Sequence, residues 1–237
     1  MKKLIPLLLP LLFAACAPMS PKLPSDNQVA PAFRHPEAGA LILMLPPETE
    51  TEDMQAGVGI LKEELHRQLS AAGYRVAILD QTSYDTIWAQ EIAEVGGIYD
   101  GATGELRRPQ FVQALGHLVQ RVSSETKATL VMRPHLVLRP AELSGASAVW
   151  DGQQRRSNVS GAGDSSFHHD GTTLGLSVGL RMFASSGEFV MSTHGGVSLP
   201  YKLNLHTNRN EVRTDLFTES REMADGVSLA LSPLLQK

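Results

Sequence analysis

The apolar pattern of the chain changes near Lys127, and this change determines which folds the sequence allows. Before Lys127, short apolar runs alternate with stretches in which apolar residues recur every three or four positions, as in helices. After it, apolar and polar residues alternate, most regularly over residues 174–182, as in strands. The sequence therefore predicts an α/β (α+β) fold in the order βαβααβ, followed by antiparallel strands and a C-terminal helix. We expect a mixed parallel and antiparallel sheet with its helices mainly on one face.

The first half of the chain predicts a βαβ unit with parallel strands. Residues 40–45 are continuously apolar, which is typical of a strand buried on both faces. A helical stripe follows over residues 54–69, and Thr49 with Glu52 forms a candidate capping box before it. Residues 74–79 supply the second strand.

Three further helices are predicted. One begins at Thr82 or Ser83, one has Pro109 in its first turn, and the last begins near Thr214. The glycine-rich residues 97–106 between the first two predict a tight turn or small hairpin.

The second half predicts a long strand, a hairpin and two loops. Pro134 interrupts the strand at residues 128–138 and favours an edge position or a bulge. Gly175 and Gly179 lie on one face of the hairpin and indicate that a helix or backbone packs close to it. Residues 152–172 and 199–209 are the predicted loops.

The N-terminus has the pattern of a cleaved signal peptide. Lys2 and Lys3 precede an apolar stretch of about ten residues, which is too short to span a bilayer. Ala14 and Ala15 then stand directly before Cys16, the only cysteine. This arrangement resembles the lipobox of bacterial lipoproteins, which implies that Cys16 is the lipidation site and carries acyl groups such as palmitate. The alternative is an ordinary signal peptide followed by an unrelated cysteine.

The predicted domain organisation follows from this pattern. Residues 1–15 are the signal peptide, residues 16–39 are the lipidated cysteine and a proline-rich tether, and residues 40–237 form one periplasmic domain. Because Ala17 rather than an aspartate follows Cys16, the lipoprotein resemblance implies an outer-membrane location, facing the periplasm.

Charge argues against nucleic acid as a partner. The whole chain has 21 basic and 25 acidic side chains, and removal of Lys2 and Lys3 brings the net charge near −6. An acidic chain offers no electrostatic attraction to nucleic acid or to an anionic membrane surface.

Two sets of residues resemble sites for chemistry. Ser177 lies in a G-x-S-x-G string, but in mid-strand rather than on the strand-to-helix elbow that a nucleophile needs. His168, His169 and Asp170, with Asp164 and Asp151 nearby in sequence, are the candidate metal ligands. We expect a solvated loop rather than a metal site, so the sequence predicts no catalytic, cofactor or metal residues.

The predicted element order is similar to that of periplasmic α/β domains of bacterial envelope proteins. These are the TolB amino-terminal domain, the curli-secretion channel lipoproteins and the outer-membrane lipoprotein activators of peptidoglycan synthases. The stretches that carry the resemblance are residues 97–104, 149–152 and 174–196. The resemblance implies binding and assembly, not catalysis.

The expected function is that of a non-enzymatic outer-membrane lipoprotein. It is anchored to the membrane by its N-terminal lipid, and its domain binds an envelope protein or self-associates. The candidate contact residues belong to residues 152–172 or to the turn at residues 98–106; they are Tyr99, Asp100, Arg155, Arg156, His168 and His169. The alternatives are a periplasmic hydrolase or metal-dependent enzyme, and a ring-forming secretion component.

Overall fold

A computed structural model describes residues 26–156, 159–160, 171–204 and 209–236 of the chain. Cys16, the predicted signal peptide, Asp164 and residues 168–170 lie outside the described residues. The helices are α1 (Gln55–Ala71), α2 (Gln81–Glu94), α3 (Arg108–Thr126) and α4 (Ser220–Leu235). The strands are β1 (Gln28–Val29), β2 (Leu41–Met44), β3 (Glu48–Thr49), β4 (Arg75–Ile78), β5 (Leu130–Ser144), β6 (Ser147–Trp150), β7 (Gln153–Arg156), β8 (Val159–Ser160), β9 (Gly171–Ala184), β10 (Phe189–Ser198), β11 (Tyr201–Asn204) and β12 (Arg209–Val212).

The main sheet is mixed, which confirms the predicted α/β class. Its strand order is β1-β10-β9-β5-β2-β4. Strand β2 pairs in parallel with β4 and β5, whereas β9 runs antiparallel to both β5 and β10. Strands β3 and β6 pair with β5, and β6 also pairs with β7. A smaller sheet has the order β12-β11-β8.

Helices cover both faces of this sheet, so the prediction that they lie mainly on one face is wrong. Ile42 and Met44 of β2 point into a core with α1 and α4, and Leu43 and Leu45 point into a second core with α2 and α3. The physical reason is present in the sequence. A strand with no polar alternation must be covered on both sides.

The helix ends differ from the predicted ones in three places. Asp80 caps α2 by accepting a hydrogen bond from the amide of Ser83, ahead of the residues proposed for that role. The capping box of Thr49 and Glu52 does not form, because Glu52–Met54 is a 3-10 turn and Thr49 belongs to β3. Helix α4 begins at Ser220, after the predicted position.

Among the described residues, no helix is long and apolar enough to cross a bilayer.

Pro134 lies in the middle of the sheet rather than at an edge. Strand β5 pairs with β9 along most of its length, including Pro134 opposite Leu180. On its other side β5 pairs with β2 as far as Met132 and with β3 from His135 onward. The proline therefore occupies the gap between two neighbours, where a missing amide hydrogen is tolerated.

Strands also occupy parts of both predicted loops. Strand β7 lies within residues 152–172, where it pairs with β6. Strand β11 lies within residues 199–209, where it pairs with β8 and β12. Polar composition alone did not reveal these strands.

Residues 26–39 lie against the domain, so the predicted tether is wrong over this stretch. Strand β1 pairs with β10, and the Ala30 amide donates to the carbonyl of Val190 at 2.8 Å. The Asn27 side chain accepts a hydrogen bond from the His194 amide at 2.9 Å. We call residues 26–35 the N-terminal arm. It caps part of the outer edge of β10, where unpaired strand amides would otherwise face solvent.

A candidate binding groove on the open part of the sheet

One end of the sheet face that carries α3 is covered, and the rest is open. Val131 of β5 and Phe183 of β9 pack in the core beneath α2 and α3. Farther along the same face, cross-strand pairing places Arg133 opposite Arg181, and then His135 opposite Gly179. These side chains lie beyond the helical cover.

The open part of the face forms a groove with a volume of about 590 Å³, which we call the sheet groove. Its apolar end is lined by Phe111, Val112, Leu115, Phe183 and Phe189. Its polar end is lined by Asp26, Gln28, His135, Arg139, Arg181, Ser192 and His194, with Glu50, Val137 and Gly187 also on its walls. A volume of this size, with apolar walls and a few polar groups, is typical of ligand sites in proteins.

The apolar end exposes side chains that folding leaves uncovered. Val112 on the first turns of α3 is 67% exposed and Phe189 at the start of β10 is 41% exposed. Beside them, the guanidinium of Arg133 lies 5.9 Å from the centre of the Phe111 ring and 2.6 Å from a carboxylate oxygen of Glu48. Arg133 is therefore both paired and stacked.

Two histidines lie on the floor of the polar end. The rings of His135 and His194 meet edge to face, with centroids 6.4 Å apart. Burial, reinforced by the charges of Arg133 and Arg181, lowers the pKa of His135 to about 4. Burial and the charge of Arg139 also lower the pKa of His194, although Asp151 and Asp26 oppose this shift. Both imidazoles are therefore neutral at neutral pH, and each has one N–H to donate.

A partly buried ionic network closes the polar end. Arg139 lies 2.5 Å from Asp26 of the N-terminal arm and 2.6 Å from Asp151. Asp151 also accepts a hydrogen bond of 2.6 Å from the hydroxyl of Ser177. Burial acts to raise the pKa of Asp26, but the hydrogen bond and charge of Arg139 hold it below its usual value. The network joins the arm, β5, β9 and the β6–β7 turn.

Rings, not a helix or backbone, pack on the two glycines of β9 that the sequence singled out. A methyl group on Gly179 would overlap the His135 ring, and one on Gly175 would lie 2.5 Å from the Trp150 ring. Trp150 is 4% exposed and donates to the carbonyl of Leu176, so it is a core residue. Because glycine has no side chain, both rings can pack directly against the backbone of β9.

Ser177 lies in mid-strand, as predicted from the context of its G-x-S-x-G string. It is fully buried, and its hydroxyl is bonded to a carboxylate rather than to an imidazole. The β6–β7 turn, which carries Asp151, covers its side chain.

The candidate contact residues that the structure describes lie on two separate elements. Tyr99 is 62% exposed and bridges to Leu106, while the Asp100 carboxylate accepts hydrogen bonds from the amides of the same turn. Arg155 on β7 pairs with Asp225 of α4 at 3.0 Å and donates to the carbonyl of Val197. Its neighbour Arg156 is exposed. His168 and His169 lie outside the described residues.

Of the candidate metal ligands, the structure describes only Asp151, whose carboxylate is already bound by Arg139 and Ser177. A different group of ligand atoms, from Glu91, Glu94 and His117, lies within 4.8 Å on α2 and α3. The guanidinium of Arg121 lies 3.3 Å from Glu91 and already balances its buried charge. This pairing provides a structural reason for the cluster.

Most of the groove residues were not anticipated from the sequence. His135 and Arg181 occur in strands that were predicted, so the face on which they lie could have been inferred, whereas Arg139 lies beyond the predicted end of its strand. The sequence could not show that α3 leaves this part of the face uncovered, because this depends on where α3 crosses the sheet.

Comparisons with known proteins found solved structures with a similar fold, of which two are described below. No family model matches the chain, and no curated protein matches it. A PelC dodecamer from Paraburkholderia phytofirmans is 13% identical, with a TM-score of 0.42, over 89% of this chain and 96% of that one. A dodecamer of a PelC point variant from the same organism is 12% identical, with a TM-score of 0.41, over 88% and 97% of the two chains. Because both TM-scores are below 0.5, we draw no functional conclusion from them.

Proposed function

We propose that this protein is a lipid-anchored binding module of the bacterial cell envelope, and that the sheet groove is its docking surface for a partner protein. The observation that carries the proposal is the groove itself. It is a cavity of about 590 Å³ with exposed aromatic and aliphatic side chains at one end and arginine and imidazole groups at the other. Partner sites in proteins combine an apolar core with a few oriented polar groups in this way.

The anchor proposal rests on the resemblance of residues 12–16 to a lipobox. With three acyl chains on Cys16, membrane attachment is firm, because each buried methylene contributes about 0.8 kcal/mol. The acylated cysteine and the periplasmic, outer-membrane location remain parts of the proposal.

Docking of the N-terminal arm shortens the reach of the domain. The predicted tether is then shortened from residues 16–39 to residues 16–25, which can extend to at most about 35 Å. The full stretch to residue 39 would have allowed about 75 Å. The groove, whose polar end includes Asp26 itself, therefore works close to the membrane that holds Cys16.

A role in binding fits the described residues better than catalysis does. The serine of the G-x-S-x-G string is buried against a carboxylate. Ser192 lines the same end of the groove as His135 and His194, but among the described residues no hydrogen bond joins it to either imidazole. The groups in the groove are arranged to donate hydrogen bonds and to contact apolar surface. We therefore propose a non-enzymatic function.

Replacing Cys16 with serine is expected to abolish lipidation. In cells given labelled palmitate, the wild-type protein should incorporate the label and fractionate with the outer membrane. The Cys16→Ser protein should incorporate none and retain its uncleaved signal peptide, because the thiol is the acyl acceptor. Ala17→Asp is the matched variant. It should keep the label but move to the inner membrane, as the lipoprotein resemblance implies. Normal processing and membrane attachment of Cys16→Ser would refute the anchor.

A further inference from the structure

Two arginines lie directly opposite each other across β5 and β9, and Arg181 lines the sheet groove while Arg133 lies beside it. Arg133 is paired with Glu48 at 2.6 Å. Arg181 is exposed, and within the described part of the chain it has no ion-pair partner. An anion bound at Arg181 would supply the counter-ion that Arg133 already has.

Two buried polar atoms at the polar end of the groove also lack hydrogen-bond partners. They are the Nδ2 atom of Asn27 in the N-terminal arm and the Nδ1 atom of His194, and neither has a partner among the described residues. An incoming group that supplies oxygen acceptors could receive a hydrogen bond from each of them, in the case of His194 from the Nδ1–H tautomer.

The apolar end provides a second point of contact. Val112 and Phe189 are exposed there, next to the partly buried Phe111 ring. Burial of an apolar side chain contributes about 25 cal/mol per Å² removed from water. A ligand that joins an anion to an apolar group would use both ends of the groove.

The rim of the groove argues against a membrane surface as the source of this anion. Asp26 and Glu50 are on its walls, and the mature chain has a net charge near −6. A bilayer rich in anionic lipid would be repelled by these charges. A single carboxylate on a protein segment carries one negative charge and is repelled far less than a charged surface, and its neighbours can include a basic residue opposite Glu50.

We propose that the sheet groove recognises a carboxylate adjacent to an apolar side chain in an envelope protein, with Arg181 binding the carboxylate and Val112 and Phe189 contacting the apolar group. This inference deepens the proposed function and rests on it. A carboxylate and a guanidinium form the paired, charge-assisted hydrogen bonds that make arginine the usual reader of such groups.

Two small molecules of nearly the same shape, a carboxylic acid and its neutral amide, test this inference. N-acetyl-L-phenylalanine carries a carboxylate and an aromatic ring, and its amide is neutral. The protein is the full mature chain, residues 16–237, with Cys16→Ser to prevent acylation, and Kd is measured by NMR titration. We expect the acid to bind with a Kd of about 1 mM, as its size suggests. The amide should bind at least about tenfold more weakly, since the pairing of a carboxylate with arginine is lost.

Variants locate the site. Arg181→Gln should remove the preference for the acid, and Val112→Asp should weaken binding of both compounds. Arg221→Gln is the matched control, because Arg221 is exposed on α4, which packs against the opposite face of the sheet. It should change neither Kd. Thermal unfolding of each variant confirms that it is folded.

Three outcomes would overturn the inference. Equal binding of the acid and the amide, or an unchanged preference in Arg181→Gln, would exclude a carboxylate site at Arg181. Tighter binding to vesicles of phosphatidylglycerol that is lost in Arg181→Gln would make the groove a lipid site instead. If the acid binds as expected but no partner protein contacts the groove in cells, the recognition chemistry stands and the proposed docking function fails.

Discussion

Alanine in place of Gly195 is expected to destabilise the protein by at least about 3 kcal/mol, because a methyl group there would overlap backbone that cannot move locally. Gly195 on β10 faces Gly226 on α4. An added Cβ atom would overlap the carbonyl oxygen of Gly226 and lie 2.7 Å from the Ala230 amide nitrogen. To accept the methyl group, the whole helix must shift away from the sheet. Urea and thermal unfolding of the mature chain measure the loss.

Gly59 provides the matched control for this prediction. It lies within α1, and apart from the adjoining residues and backbone of that helix, no heavy atom of the described residues lies within 4 Å of the position that its Cβ atom would take. Gly59→Ala should therefore stabilise the protein by about 0.5–1 kcal/mol, since alanine loses less backbone entropy than glycine on folding. If both substitutions shifted the free energy of unfolding in the same direction, the close packing of α4 on β10 would be wrong.

Replacing Arg139 with methionine is expected to cost about 3–5 kcal/mol, because it leaves the carboxylate of Asp151 without its counter-ion. The Asp151 side chain is 5% exposed, and the hydroxyl of Ser177 alone cannot balance its charge. The substitution also releases Asp26, so the N-terminal arm should detach more readily. Urea unfolding gives the free energy, and hydrogen exchange at His194 reports whether the arm still covers β10.

Arg67 offers a control with the same ion-pair distance but a different environment. It lies 2.5 Å from Glu64 on the surface of α1, where its side chain is 63% exposed. Arg67→Met should cost much less than Arg139→Met, since water screens exposed pairs. The double variant Arg139→Met with Asp151→Asn should recover much of the loss by removing the unpaired charge. Equal losses for the two arginines would show that the network at Arg139 is not buried as described.

The secondary structure was largely predictable, because each element depends on local pattern. Residues 40–45 contain β2, and the alternation over residues 174–182 lies in β9. The length of β5 was underestimated, since the strand continues to Ser144 rather than ending at residue 138. Its last residues pair with β9 and β6, and these contacts are not visible in the local sequence pattern.

The placement of the arm and the network depended on contacts between distant parts of the chain. Asp26 and Arg139 are separated by 113 positions, and Ser177 and Asp151 by 26. Only the strand register brings them together, and a shift of one residue would turn each strand side chain to the other face. The prolines before and after β1 favoured a free tether, but two extended residues between them were enough to pair with β10.

Site-specific photo-crosslinking in cells tests most directly whether the sheet groove is the docking surface. A photoreactive phenylalanine analogue replaces Val112 at the apolar end of the groove or, as the control, Val212 on β12, which is 39% exposed. We predict a discrete adduct with another envelope protein from position 112, reduced several-fold by Arg181→Gln, and no such adduct from position 212. The same adducts from both positions, or none from position 112, would contradict the account.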